Sequence, residues 1–228
     1  MIFHALITAR GGSKGIKKKN LKKIGKKKLI EISLITAKNS SLFDEIYCSS
    51  DSSEILNCAK KYSKIIRRPK KLALDNTPSE EVVLHYLKHL KNQKFVEPDI
   101  LFLIQPTSPF IEIKTIKEMM NIYKFKKNAK SVVSIFKVPH KYNFVNQRIL
   151  TKEGIMKFLF KRKKKYFRRQ NKPVTYAHGN LHSVKIKDFK KFKSFHMEPT
   201  YTIKLENFYE AIDIDSINDL NLARQITK

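Results

Sequence analysis

The sequence predicts an α/β fold: three layers, with a mixed, mainly parallel sheet covered by helices on both faces. Short apolar runs alternate with amphipathic stretches from the first residue onward, the pattern left by strands joined through crossover helices. The run Ile100–Ile104 is apolar without a break, as a central strand buried on both faces must be. A length of 228 residues with 41 % hydrophobic residues provides for one domain with a packed core.

The elements follow in order. Residues 2–8 form a buried strand, residues 9–20 a loop and residues 29–39 a helix. Residues 45–49 form a second strand, and residues 53–62 a helix whose N-cap is Ser52 or Ser53, since a hydroxyl there accepts an orphan N–H. A short strand at 64–67 leads into a loop over 69–78. Residues 79–90 carry Val83, Leu84, Leu87 and Leu90 at helical spacing, with Glu80 and Glu81 in the first turn, where the helix dipole favours them. The strand at 100–104, a helix near 113–123 and a strand at 131–136 complete the regular part. Residues 139–185 read as an irregular inserted arm or lid that carries Gly154, Pro173 and the basic run 161–169. Residues 211–215 read as a strand tip and 216–226 as the final helix. The chain is read as a single domain, 1–228, with that arm inside it.

Composition narrows the classes. No apolar run approaches the roughly 20 residues that span a bilayer. The apolar opening lacks a basic leader and reads as a strand rather than a signal peptide. Only Cys48 and Cys58 are present, too few for a disulfide scaffold, so a reducing cytoplasmic setting is expected. The net charge of +28 attracts polyanions. The excess is mostly Lys spread along the whole chain among Ile and Asn, a pattern of compositional drift more than of a selected nucleic-acid surface.

Three constellations could carry chemistry. Ala9-Arg10-Gly11-Gly12-Ser13-Lys14-Gly15 follows the first strand; its glycines let successive N–H groups face phosphate oxygens, and Arg10, Lys14 and Lys19 add charge. Its glycine spacing is neither that of a Walker loop nor that of a dinucleotide fingerprint, and a flexible turn with basic residues would read the same. Gln105-Pro106-Thr107-Ser108-Pro109 stands at the carboxyl end of the most apolar strand, where open α/β sheets bind ligands. A strand-to-helix turn with Ser108 as N-cap reads alike. In Ile212-Asp213-Ile214-Asp215 an extended backbone puts both carboxylates on one side, a hard-oxygen pair suited to Mg²⁺; a loop capping the last helix through Asp215 or Ser216 is the alternative. His178 and His182 stand four apart beside Gly179 and Pro173 with no nearby carboxylate, which argues against zinc.

Taken together, these motifs resemble the acylneuraminate cytidylyltransferase family, the CMP-sialic acid synthetases and their legionaminic and pseudaminic relatives. The residues that carry the resemblance are Ala9 to Gly15 with Lys19-Asn20, then Arg68-Pro69, Leu72-Ala73, Asp75 and Thr77-Pro78-Ser79. Gln105 to Pro109 and Ile212 to Asp215 complete the set, in order along the chain. The resemblance implies a sheet of the nucleotide-diphospho-sugar transferase type with a small dimerisation arm, hence a homodimer. It implies a CTP site from Ala9, Arg10, Gly11, Gly12, Ser13, Lys14, Lys19, Asn20, Arg68, Asp75, Thr77 and Ser79. It implies a site for a nine-carbon sugar acid from Gln105, Thr107, Ser108, His140, Arg169 and Gln170, with Arg169 facing the carboxylate. Asp213 and Asp215 would carry Mg²⁺, and Arg10, Lys19, Asp213 and Asp215 would be catalytic.

Two departures fall where the sugar would lie. His178-Gly179-Asn180 stands where relatives have an Asn-Gly pair, and Phe144 replaces a proline in the arm. The expected reaction is attack by the sugar's anomeric hydroxyl on the α-phosphorus of CTP. Rival expectations are a related enzyme for 3-deoxy-octulosonate, a family member that binds nucleotide without transferring it, and a basic nucleic-acid-binding protein.

Overall fold

A computed structural model describes residues 1–160, 163–166 and 168–227; Lys161, Arg162 and Phe167 of the basic run lie outside the described residues. The chain begins with strand β1 (Phe3–Thr8), a small hairpin of β2 (Lys23–Ile24) and β3 (Lys27–Lys28), and helix α1 (Leu29–Ser40). Next come β4 (Glu45–Ser50), α2 (Ser53–Ala59), β5 (Lys64–Arg67), α3 (Ser79–Asn92), β6 (Ile100–Ile104), α4 (Ile113–Phe125) and β7 (Ser131–Lys137). An arm follows with the hairpin β8 (Arg148–Leu150) and β9 (Met156–Phe158). The chain then re-enters the body through β10 (Tyr176–Lys185), α5 (Ile186–Phe192), β11 (Thr200–Lys204) and α6 (Ile217–Ile226).

The main sheet has seven strands in the order β11-β7-β10-β6-β1-β4-β5. Only β10 runs against its neighbours, so the carboxyl ends of β1, β4, β5 and β6 share one edge. Alternation within each strand divides its side chains between two cores. Phe3, Ala5 and Ile7 of β1 join Phe102 and Ile104 under α1, α2 and α4; Leu6 joins Leu101 and Leu103 under α3 and α5. Every residue of β6 is buried, as its unbroken apolar run requires. A third, smaller cluster is built from Ile16, Ile24, Leu29, Ile214, Leu220 and Ala223. It seats α6 against the loop after β1 and so pins the end of the chain to its beginning.

Three expectations need correction. The inserted arm ends earlier than residue 185, because Tyr176–Lys185 is a ten-residue strand in the middle of the sheet, paired with both β6 and β7. Residues 211–215 are not a strand tip: a 3-10 turn, Phe208–Ala211, leads into an extended segment outside the sheet. The interval between them holds α5 and β11, which the irregular pattern of residues 186–204 did not announce.

Candidate active site

Two glycines of the loop after β1, Gly11 and Gly15, stand where neighbouring chain leaves no room for a Cβ. Gly11 donates its N–H to Asp51 Oδ1 at 2.8 Å, and a Cβ there would stand 2.9 Å from Ser52 Cβ. A Cβ on Gly15 would meet the carbonyl oxygen of Asp215 at 2.5 Å, so glycine is what lets the loop touch the acidic segment. Buried Asn20 donates to the Arg10 carbonyl at 2.9 Å and fixes the loop's curvature from below. Lys19, in the 3-10 turn that ends the loop, brings its ammonium to Asp215 Oδ1 at 2.8 Å, across 196 positions of sequence.

The acidic segment is held at several points. Ile212 and Ile214 point into the protein and are buried, while Asp213 and Asp215 face the other way and are exposed, as period-two alternation demands. Ile214 donates its N–H to the Thr107 carbonyl at 2.8 Å, which ties the segment to the proline-flanked turn after β6. Asn180 of β10 donates to the carbonyls of Glu210 and Ile212 at 3.3 and 3.1 Å. Ser216 caps α6 by accepting from Asp219 N at 3.3 Å, and Asp219 returns the bond to Ser216 N at 2.7 Å. The helix cap and the paired carboxylates therefore coexist, one residue apart.

These walls enclose a cavity of about 330 Å³ at the carboxyl edge of the parallel strands. Of the residues singled out from sequence, Arg10, Ser13, Lys19 and Asn20 line it from the glycine loop, and Arg68, Asp75, Thr77 and Ser79 from the loop after β5. Gln105 and Thr107 line it from the turn after β6, and Asp213 and Asp215 from the acidic segment. Asp75 reaches across the opening and pairs with both Arg10 and Lys14; the hydrogen bonds donated by Lys14 and then Arg10 hold its carboxyl below the ordinary range. Arg68 is 5 % exposed; burial lowers its pKa, and its Nε has no hydrogen-bond partner. A buried cationic donor left unpaired at a cavity wall is a place for a ligand acceptor.

Ala9, Gly11 and Gly12 shape the loop from behind the lining, Lys14 stands at the rim, and Ser108 is buried beneath the turn with its hydroxyl unpaired. His140, Arg169 and Gln170 are not brought to this cavity. They line a second one at the base of the arm, beside Lys172 and Asn143. Reading the sequence missed Asp51 and Asn180. Asp51 stands just beyond β4 in the run Ser49-Ser50-Asp51-Ser52, polar residues at a strand's carboxyl end, a signal that was present and unused. Asn180 figures in the sequence only as part of a departure in the sugar region, and its place beside the acidic segment was not read because its strand was not recognised.

Among the described residues no group of three or more His, Cys, Asp or Glu side chains has metal-holding geometry. Mg²⁺ needs less: one or two carboxylates, with waters and substrate phosphates supplying the rest. Asp213 and Asp215 fit that demand. Both line the cavity beside the glycine loop, Asp215 has a 76 % exposed side chain, and the carboxylate of Asp213 has no protein partner among the described residues. In a chain of net charge +28, an acidic pair left open at a cationic cavity is a specific donor set.

A mainly parallel sheet with a cationic glycine loop and a carboxylate pair meeting at its carboxyl edge defines an α/β nucleotidyltransferase. The cytidylyltransferase family model matches residues 4–227, and the chain belongs to that family. It is 31 % identical to a CMP-N,N'-diacetyllegionaminic acid synthase of Legionella pneumophila, over 97 % of this chain and 94 % of that one. It is 29 % identical to an N-acylneuraminate cytidylyltransferase of Streptococcus agalactiae serotype V, over 94 % of this chain and 50 % of that one. Among solved structures, a CMP:2-keto-3-deoxy-manno-octonic acid synthetase complexed with CTP superposes with a TM-score of 0.70 at 13 % identity, covering 99 % of this chain and 98 % of that one. A 4-diphosphocytidyl-2C-methyl-D-erythritol synthase from Anaerococcus prevotii gives 0.64 at 18 %, covering 99 % and 97 %. At those identities the structural likeness speaks for the fold alone.

Proposed function

We propose that this enzyme transfers CMP from CTP to the anomeric hydroxyl of a sialic-acid-like nine-carbon sugar acid, with Mg²⁺ as cofactor and as a homodimer in the cytoplasm. The single observation that carries the reading is the meeting of the glycine loop and the acidic pair. Lys19 and Asp215 touch, and Gly15 packs on Asp215, within one cavity. The full-length relationship to a legionaminic acid synthase supports a nonulosonate as acceptor.

Arg10, Lys14 and Lys19 bind the triphosphate. Because Asp75 holds Arg10 and Lys14 in the free enzyme, the incoming phosphates displace a carboxylate from two cations already in place. Arg68 offers its unpaired N–H to an acceptor on the nucleoside, and the backbone around Thr77 and Ser79 lines the base. Gln105 and Thr107 orient the sugar from the end of β6. The anomeric hydroxyl loses its proton to solvent water as its oxygen attacks the α-phosphorus in line; a P–O bond forms and the bond to pyrophosphate breaks, with its charge received by Arg10 and Lys19. Positioning and preorganised charge do most of the work in such transfers. Mg²⁺, when bound by Asp213 and Asp215, supplies Lewis-acid polarisation of the phosphate oxygens.

Pyrophosphate release with CTP and Mg²⁺ tests the proposal against a panel of nine-carbon sugar acids and 3-deoxy-octulosonate. Turnover confined to one or more of the nine-carbon acids is expected. A preference for the eight-carbon acid, or for another nucleotide, would overturn it.

A further inference from the structure

The acidic pair must be aimed as well as present, and one side chain of β10 is placed to aim it. Strand β10 is irregular at its centre. His178 pairs with Ile135 and His182 with Val133, so four steps along β10 oppose two along β7. Such a bulge breaks the alternation and re-aims the side chains within it. Gly179 makes the bulge possible, because a Cβ there would stand 2.9 Å from Ser134 Cβ and collide with Ser134 Oγ. Ser134 Oγ accepts from Leu181 N at 3.1 Å and repairs the interrupted ladder. The residue redirected by this arrangement is Asn180. Its carboxamide nitrogen has two hydrogens, and it donates to two alternate carbonyls, Glu210 at 3.3 Å and Ile212 at 3.1 Å.

We infer that Asn180 is a positioning residue for the metal-holding carboxylates. Its two bonds hold the chain immediately before Asp213, as the Thr107 carbonyl holds it at Ile214. Without Asn180 the stretch from Glu210 to Asp213 keeps the bonds of its own turn, from Glu210 N to the Asn207 carbonyl and from Ile212 N to the Tyr209 carbonyl, the packing of Ile212, and the bonds that the Glu210 carboxylate accepts from Glu112 N at 3.0 Å and Thr115 Oγ1 at 2.8 Å. The carboxylate bonds act on the Glu210 side chain, before Asp213 is reached, and none of these contacts fixes the direction in which the Asp213 carboxylate leaves the backbone. Groups that orient ligands without touching the metal commonly account for ten- to a hundred-fold of metal affinity. A bulge built around Gly179 also explains why glycine and asparagine stand in this order here: the glycine gives clearance and the asparagine reaches back.

The inference rests on Asp213 and Asp215 as the metal-holding pair, and the test separates the two. Asn180→Leu keeps the side chain's bulk and removes both donors; Asn180→Ala is the companion should the apolar branch not fit. Hydrogen exchange is measured on the metal-free enzyme over residues 210–216, and Mn²⁺ binding is measured by electron paramagnetic resonance in the presence of CTP. The expected result is at least ten-fold faster exchange in that segment alone and roughly ten-fold weaker Mn²⁺ binding. Exchange and affinity equal to the parent enzyme's would overturn the role of Asn180. Should Asp213→Asn and Asp215→Asn leave Mn²⁺ binding untouched, the metal assignment fails and the aiming role with it. Faster exchange in the Asn180 variants would then show a strut of the loop only.

Discussion

The contact between Lys19 and Asp215 joins two residues that differ in freedom. The lysine side chain is 14 % exposed and the aspartate 76 %. An ion pair so open to water contributes little to stability, so its purpose is placement of charge. Replacing Asp215 with Ala should therefore leave the thermal midpoint within a few degrees while turnover falls roughly a hundred-fold or more, about 3 kcal/mol of transition-state stabilisation. Circular dichroism melts beside pyrophosphate release check both halves; near-parental activity would remove Asp215 from the mechanism. Gly15→Ala tests the same contact from the other side. Its new methyl group meets the Asp215 carbonyl at 2.5 Å, so loop and acidic segment must part. Steady-state kinetics should show kcat lowered more than ten-fold, against a loss of about 1–3 kcal/mol in denaturant unfolding.

At this scale most of the cavity could be read in advance, since short motifs with fixed chemistry carry it. Arg10, Lys19, Gln105, Asp213 and Asp215 stand in segments that would each also read as a turn or a cap; their order along the chain carries the reading. The arm residues could not be placed. Whether Arg169 faces the cavity depends on the path of some forty residues of irregular chain, and the structure sends it, with His140 and Gln170, to a separate hollow.

Among the elements, α6 and β10 mark the two extremes of legibility. Helix α6 is legible in the sequence at residues 216–226 with Asp215 or Ser216 as its cap, and in the structure Ser216 forms a reciprocal cap with Asp219. Ser216→Ala should cost about 1 kcal/mol. Loosening α6 also loosens the acidic segment that precedes it, so the same variant should show a raised Mg²⁺ requirement in assays at limiting metal. Strand β10 was hidden because a central strand ordinarily reads as a run of branched apolar residues. Here the run is Tyr176-Ala177-His178-Gly179-Asn180-Leu181-His182-Ser183, mostly polar. The sheet accepts it because hydrogen bonds replace apolar contact. Ser183 is fully buried and donates to the Val132 carbonyl at 3.0 Å, Ser134 braces the bulge, and Asn180 caps two carbonyls. Periodicity finds strands that bury oil and overlooks one whose buried side chains include the hydrogen-bonded Ser183.

For the whole molecule, charge and histidine set the response to pH and salt. His178, His182 and His196 gather with ring centroids 4.6 to 6.1 Å apart. Burial, aided by the two neighbouring imidazoles, pushes His182 down to about 4 from its ordinary 6.5. The unfolded chain then takes up a proton at His182 before the folded one does, so stability is intact above pH 6.5 and declines as the pH falls towards 4. The full shift is on the order of 3 kcal/mol. Burial lowers His4 and His196 as well, with the same sign. Denaturant midpoints at pH 7 and pH 4.5 should separate clearly, and His182→Gln should shrink the gap; an unchanged gap would show that His182 does not contribute.

The arm bears on assembly. Ile149, Leu150, Met156, Phe158, Leu159 and Phe160 are all exposed on or beside the β8–β9 hairpin, an apolar group that a lone chain leaves in water. Leu150→Glu together with Met156→Glu should convert the proposed dimer to a monomer in sedimentation velocity, and a parent enzyme already monomeric would end that proposal. The charge of +28 is spread along the chain, and weak nucleic-acid binding that vanishes with added salt is expected.

The small third core has a consequence for biosynthesis. Ile16 and Leu29 are translated long before their partners Ile214, Leu220 and Ala223. The catalytic centre therefore cannot exist on a growing polypeptide, however early β1, β4 and β6 find one another. A molecule clipped ahead of Asp213 would keep all seven strands and the glycine loop but lack the acidic half of the reaction centre, and would be inert.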